Sequence, residues 1–208
     1  MKNTRALPVL LLAVACCGRA FAQSYEIKGP ISGYVTERAG TCHIAVTAPS
    51  DSYYSDGYHY VGDAQMCNVA RLIYKFSGEE VLVSATVAPG NDRPNDVEGL
   101  AVTRGDDPYW PPYRGGNVAD HYGMAGTVNG YALVSNSKSC FVALNSSAPQ
   151  ANGYHEVKDR GKCMALLGAY LEGKQTISVQ ADRGRRMNRI TAVNLNPSGE
   201  PRWYDDLR

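Results

Sequence analysis

Gly57-Tyr58-His59-Tyr60-Val61-Gly62-Asp63-Ala64-Gln65-Met66-Cys67 decides how this chain is read, because its skeleton returns 96 residues later. Gly153-Tyr154-His155, Val157, Asp159 and Cys163 stand at the same spacings. Without a gap, the match runs on through Tyr74/Tyr170, Val81/Ile177, Val83/Val179, Ala85/Ala181, Arg93/Arg189 and Val97/Val193. Chance does not keep aromatic, cysteine, glycine and aliphatic positions in one register over about forty residues. The sequence therefore predicts two tandem homologous modules, each with its own strands and its own disulfide.

Working outward, the modules span residues 23–113 and 121–208, with a Gly/Pro/Asp-rich join that narrows to a linker at 114–120. Each begins with a short alternating segment, Ile31 to Thr36, matched to Met124 to Val128. A strand carrying the first cysteine follows: Cys42 to Val46, then Cys140 to Leu144. After the second cysteine the period changes. Cys67, Ala70, Leu72 and Tyr74, like Cys163, Leu166, Leu167 and Tyr170, fit one face of a short helix, and Gly78 and Gly173 end it. Val81-x-Val83-x-Ala85 and Ile177-x-Val179-x-Ala181 alternate as half-buried strands. Last strands are expected at Val97–Val102 and Ile190–Leu195, each followed by a Pro/Trp/Tyr tail. The fold class expected is mainly β with short helices, each module an OB-like β-barrel.

The N-terminus predicts export. Lys2 and Arg5 flank the apolar run Ala6–Cys17, and Ala20-Phe21-Ala22 supplies a cleavage site, which is preferred over lipidation at Cys16. A signal peptide at 1–22 leaves 18 basic against 20 acidic residues, a net charge of −2, with no footprint for nucleic acid. The expected location is secreted or periplasmic. Four cysteines remain, and the duplication selects Cys42–Cys67 and Cys140–Cys163 over the other two pairings. Loops of such length stabilise a module by about 3 kcal/mol in the chain-entropy model.

The order of elements, with a cysteine-closed loop ahead of the helix, resembles the B subunits of bacterial AB-type toxins, subtilase cytotoxin and its pertussis-like relatives. The residues that carry the likeness are Ile31-Ser32-Gly33-Tyr34-Val35, the Cys42…Cys67 loop, Leu72-Ile73-Tyr74-x-x-x-Gly78 and Val81-x-Val83. The resemblance implies glycan recognition with Ser32 at the sugar-binding serine position. The family's later tyrosine is replaced by Ala85, and the second module places Ala125 and Ala181 at the two positions. It also implies a cell-surface glycan or glycoprotein as partner, a toxin A-type subunit, and assembly as a homo-oligomer, although two modules in one chain depart from that family's single barrels.

The repeated Gly-Tyr-His-x-Val-x-Asp motif admits two readings. Tyrosine could cover the apolar face of a sugar while His and Asp bond its hydroxyls. Alternatively Gly turns the chain, Tyr packs beside the disulfide and Asp caps the helix. Survival in both copies favours packing. With fourteen tyrosines against three phenylalanines, and Tyr53, Tyr54, Tyr58 and Tyr60 crowded in one loop, the candidate carbohydrate site comprises Ser32, Tyr34, Tyr54, Tyr58 and His59. His59/Asp63 and His155/Asp159 lack a third ligand or a nucleophile at a recognisable spacing, so neither a metal, a cofactor nor an enzyme is expected. Arg183, Arg185, Arg186 and Arg189 read as a solvated turn or a site for an acidic partner. The competing function is a secreted or periplasmic protein-interaction module that binds no sugar.

Overall fold

A computed structural model describes residues 23–37, 40–47, 57–88, 94–104, 119–146, 153–185 and 187–195. The expected signal peptide, Tyr53, Tyr54, Arg93, Arg186 and both Trp-containing tails lie outside them. The described chain is mainly β. Its first half runs β1 (Ser24–Thr36), β2 (Cys42–Val46), β3 (Tyr58–Val61), α1 (Ala64–Phe76), β4 (Glu80–Thr86) and β5 (Asp96–Thr103). The second runs β6 (His121–Val134), β7 (Cys140–Ser146), β8 (His155–Val157), α2 (Arg160–Glu172), β9 (Thr176–Asp182) and β10 (Arg189–Asn194).

The apolar alternation sets the strand faces. Ile27 and Ile31 of β1, Val81, Val83 and Ala85 of β4, and Ile177, Val179 and Ala181 of β9 are all buried. Both motif aspartates cap helices: Asp63 Oδ1 accepts from Met66 N at 2.9 Å, and Asp159 Oδ1 from Lys162 N at 2.8 Å. The buried stripe of α1 is Met66, Cys67, Val69, Ala70 and Ile73, so Tyr74, expected on that face, stands outside it. The stripe of α2 includes Cys163, Leu166, Leu167 and Tyr170, as the periodicity predicts. Disulfides Cys42–Cys67 and Cys140–Cys163 each staple a half's second strand to the first turn of its helix.

In the first half the pairings close on themselves: β1 with β2, β2 with β3, β3 with β5, β5 with β4, and β4 with β1. Only β3–β5 is parallel, and the crossover a parallel pair needs is supplied by α1 and β4. β6 to β10 repeat the same cycle with the same single parallel pair, β8–β10.

This shared register corrects the sequence matches at two places. Ala85 and Thr86 pair with Val97 and Asp96, whereas Ala181 and Asp182 pair with Ile190 and Arg189. Val97 therefore corresponds to Ile190, not to Val193, because the connection from β9 to β10 is three residues shorter. At the other end, Ile31, Gly33 and Tyr34 occupy the pairing positions of Val128, Gly130 and Tyr131. The counterpart of Ser32 is thus Asn129 rather than Ala125. Every change of frame falls in a connection, where backbone length is free to vary.

The halves meet edge to edge. β5 pairs antiparallel with β6 from Gly99↔Val134 to Thr103↔Gly130. Arg104 N donating to Asn129 O (2.7 Å) and Ser135 N to Glu98 O (2.6 Å) extend the ladder at its ends. The main hydrophobic cluster draws buried residues from both halves, so the interior is continuous across the junction.

One side chain locks this junction. Arg104 follows β5, and its Nε donates to Glu79 Oε1 at 2.6 Å. Its Nη1 donates to the Tyr170 carbonyl and its Nη2 reaches the Leu171 carbonyl at 3.5 Å, closing the C-terminus of α2. Tyr170 donates its hydroxyl to Glu79 Oε2 at 2.5 Å, and burial together with that carboxylate raises the phenol well above its usual pKa. Gly173 ends α2 at φ 74, and a Cβ there would stand 2.4 Å from Arg104 Nη1.

Candidate functional site

The motif histidines face inward. His155 Nδ1 donates to the Gly153 carbonyl at 3.0 Å, which leaves Nε2 to accept from the Tyr122 hydroxyl at 2.6 Å. Asn188 Nδ2 donates to the same hydroxyl at 2.8 Å, while its Oδ1 accepts from Gly184 N at 3.3 Å. Burial holds the His155 pKa down at about 4, so the ring is neutral, and pushes the Tyr122 phenol up to about 12. The first half repeats the arrangement. Tyr25 Oη lies 2.8 Å from His59 Nε2 and 2.6 Å from Asn95 Nδ2, and Asn95 Oδ1 accepts from Ala88 N at 3.0 Å. Each tyrosine, on its half's first strand, thus ties the motif histidine to the turn before the last strand. Sequence reading missed the tyrosine and asparagine of both sets. Their signal is present, since Tyr25-x-x-x-Gly29 recurs as Tyr122-x-x-x-Gly126, but only after the frame is shifted by one.

The outward surface of the first half has a different character. A bulge lies between Ile31 and Gly33, so Ser32 and Gly33 leave β1 on the same side. Gly33, Ala45 and Tyr58 lie in one row across β1, β2 and β3, and Val35, His43 and Tyr60 in the next. The absent side chain at Gly33 leaves the place where Tyr58 rests: a Cβ there would stand 2.7 Å from the Tyr58 hydroxyl. Ser32 Oγ reaches the Ala45 carbonyl at 3.4 Å beside it. In the second row the rings of His43 and Tyr60 meet at 5.5 Å. His43 Nε2 lies 2.7 Å from Glu37 Oε1, and this bond, with that from Thr41, holds the Glu37 carboxyl below its usual pKa.

The five candidate sugar residues therefore divide. Ser32 and Tyr58 share the outer face. Tyr34 turns toward α1, donates to the Cys67 carbonyl at 3.1 Å and stacks on Tyr74 with centroids 6.3 Å apart. His59 is buried on Tyr25, and Tyr54 lies outside the described residues. Tyr58 lies across Gly33 rather than beside the disulfide.

His59 and Asp63, like His155 and Asp159, do not pair, because each histidine bonds a tyrosine and each aspartate a helix N-terminus. Among the described residues no cluster of three His, Cys, Asp or Glu could hold a metal ion. In the arginine turn, Arg189 pairs with Glu156 at 2.9 Å. No helix among the described residues is long and apolar enough to cross a membrane. The two disulfides fit an oxidising environment outside the cytoplasm. Searches against protein-family models, curated proteins and solved structures return no significant match.

Proposed function

We propose that this is an exported recognition protein, built from two tandem OB-like barrels, that works by docking rather than by catalysis through the outer face of its first half. Two closed cycles of five strands, each with its helix between the third and fourth, support the barrel reading and descent from one duplicated unit. The observation that carries the function is the fate of one residue in its two settings. Tyr154 is buried against protein at the junction, packed with Ala132, Ala143 and Ala101, while its counterpart Tyr58 stands half exposed. The same small face is a protein contact in one half and open in the other, and aromatic residues are the side chains enriched in such contacts.

Sugar binding is the second reading. It is favoured by the Ser32 hydroxyl standing beside an open tyrosine ring, the pairing of polar rim and apolar plate that polyhydroxyl ligands use. It is also the reading under which the likeness to toxin B subunits extends to activity.

Tyr58→Ser and Ser32→Ala, each confirmed folded by its melting temperature, are compared with the parent chain in three assays: self-association by light scattering, a glycan array, and binding to cells with and without their surface sugars. The docking reading expects Tyr58→Ser to remove at least one binding activity. If every activity survives Tyr58→Ser, this face is not the working surface. Array signals lost in both variants would turn the assignment to sugar.

A further inference from the structure

The two halves match strand for strand in their pairings, yet one covers what the other leaves bare. Ala132 and Tyr154 are 6 % and 4 % exposed, whereas their counterparts Val35 and Tyr58 are 46 % and 47 % exposed. The second-half pair is covered by β5, which lies along Gly130–Val134 of β6 and sets Ala101 opposite Ala132. Ala101 packs there against the small cluster of Ala132, Ala143 and Tyr154.

The matching stretch of the first half, Gly33–Thr36 of β1, pairs with β2 alone among the described residues, because β4 leaves β1 at Pro30. The alternation of an antiparallel ladder shows which way its backbone groups point. Glu37 N donates to Thr41 O, so Val35, two residues earlier, also bonds toward β2. The N–H and C=O groups of Tyr34 and Thr36 therefore point to the other side. Their counterparts Tyr131 and Leu133 direct the same groups at Val102 and Leu100 of β5, in step with Arg104 N donating to Asn129 O and Ser135 N to Glu98 O. An open edge of this kind is a template for another strand.

We propose that two copies of this chain join about a two-fold axis, the C-terminal part of β1 pairing antiparallel with the same strand of the other copy. The inference rests on the reading of this surface as a docking face and names its occupant. The edge is complementary to itself. With Val35 on the axis, Tyr34 of each copy stands opposite Thr36 of the other, and each N–H meets a C=O. Val35 of the other copy then takes the place that Ala101 holds at the internal junction, against Val35 and Tyr58, the counterparts of Ala132 and Tyr154. Beside it, β2 runs along β1 as β4 runs along β5: Thr36↔Cys42 and Tyr34↔Ile44 match Val102↔Val81 and Leu100↔Val83. The incoming hairpin thus repeats a shape that the junction already accommodates. Its ladder is shorter than the internal one and untethered, so the dimer depends on concentration.

Position 35 supplies the probe, because it meets itself only across a two-fold axis. Opposed residues at such a non-hydrogen-bonded position lie about 4.5 Å apart at Cα, within disulfide range. Under mild oxidation Val35→Cys gives a covalent dimer, at least about tenfold more than Glu37→Cys, whose copies stand too far apart along the ladder to join. The parent chain, sedimented over a range of concentrations, passes from monomer to dimer and no further, since an isologous contact closes on itself. Val35→Lys sets two ammonium groups together on the axis and weakens the dimer by roughly tenfold or more, with the melting temperature of the dilute chain unchanged. Four results overturn the two-fold pairing: a parent chain that stays monomeric, an assembly that grows beyond the dimer, self-association indifferent to Val35→Lys, or Val35→Cys linking no better than Glu37→Cys. If Tyr58→Ser then still abolishes binding to a glycan or to cells, the docking face survives without this occupant. If it changes nothing, both readings fall.

Discussion

The guanidinium of Arg104, from the first half, lies 4.4 Å from the centre of the Tyr170 ring in the second, over the last turn of α2. It meets three needs at once: a charge partner for Glu79, donors for the helix's terminal carbonyls, and a cation over an aromatic face. Arg104→Met keeps the bulk and removes all three. Because both ionic side chains are about a quarter exposed, the pair is discounted for solvent, and a loss of about 2 kcal/mol is expected in denaturant unfolding. A double-mutant cycle with Glu79→Gln gives a coupling of about 1 kcal/mol, and none at all would show the contact to be incidental.

Three glycines separate crowding from helix propensity. A Cβ at Gly29 would stand 2.0 Å from the Thr47 carbonyl oxygen, and one at Gly126 would stand 2.1 Å from that of Asn145, so backbone must move in both. Gly29→Ala and Gly126→Ala each cost about 3 kcal/mol, alike because the crossing is the same in the two halves. Gly168 lies inside α2 with nothing within 4 Å, and Gly168→Ala raises stability by up to about 1 kcal/mol. Melting temperatures of the three variants decide the matter.

Acid stability follows from the buried ring of His155. Its folded pKa, about 4, lies below the ordinary 6.5, so between these values the unfolded chain binds a proton that the folded chain refuses. Stability is fully present above about pH 6.5 and is lost as pH falls through about 4, a contribution on the order of 3 kcal/mol. His155→Gln should flatten the pH dependence of unfolding across this window; an unchanged slope would assign it to other groups.

Tyr58 and Tyr154 hold the same place in the repeated motif and differ in burial. Tyr154→Ser removes a buried ring from the junction and costs about 3 kcal/mol. Tyr58→Ser, on the open face, stays within about 0.5 kcal/mol of the parent. Equal losses would mean that something within the chain covers Tyr58 in solution.

Much of this architecture is legible in the sequence because it rests on local chemistry. The aspartates at 63 and 159 cap helices, alternation fixes β4 and β9, and the repeat of Cys42…Cys67 in Cys140…Cys163 gives the pairing. What escaped depends on contacts distant in the chain. Nothing near Tyr25 announces Asn95, seventy residues on, and nothing near Glu79 announces Tyr170. The mismatch of Ser32 with Ala125 has a plainer cause: Ala125-Gly126 looks like Ser32-Gly33 in the sequence, whereas the strand pairings set Gly33 against Gly130, four residues further on. Burial also decides what periodicity cannot, since Tyr74 and Tyr170 hold equivalent helical positions and only one is covered.

Each disulfide remains within its own half, so the only covalent tie between the halves is the backbone passing through residues 105–118. A protease cut in that stretch would release no fragment at once; it would turn a tethered contact into a bimolecular one. The tether supplies an effective concentration in the millimolar range, so the seam from β5 to β6 can be weak and still persist in the intact chain. Dilution after cleavage would expose its own affinity.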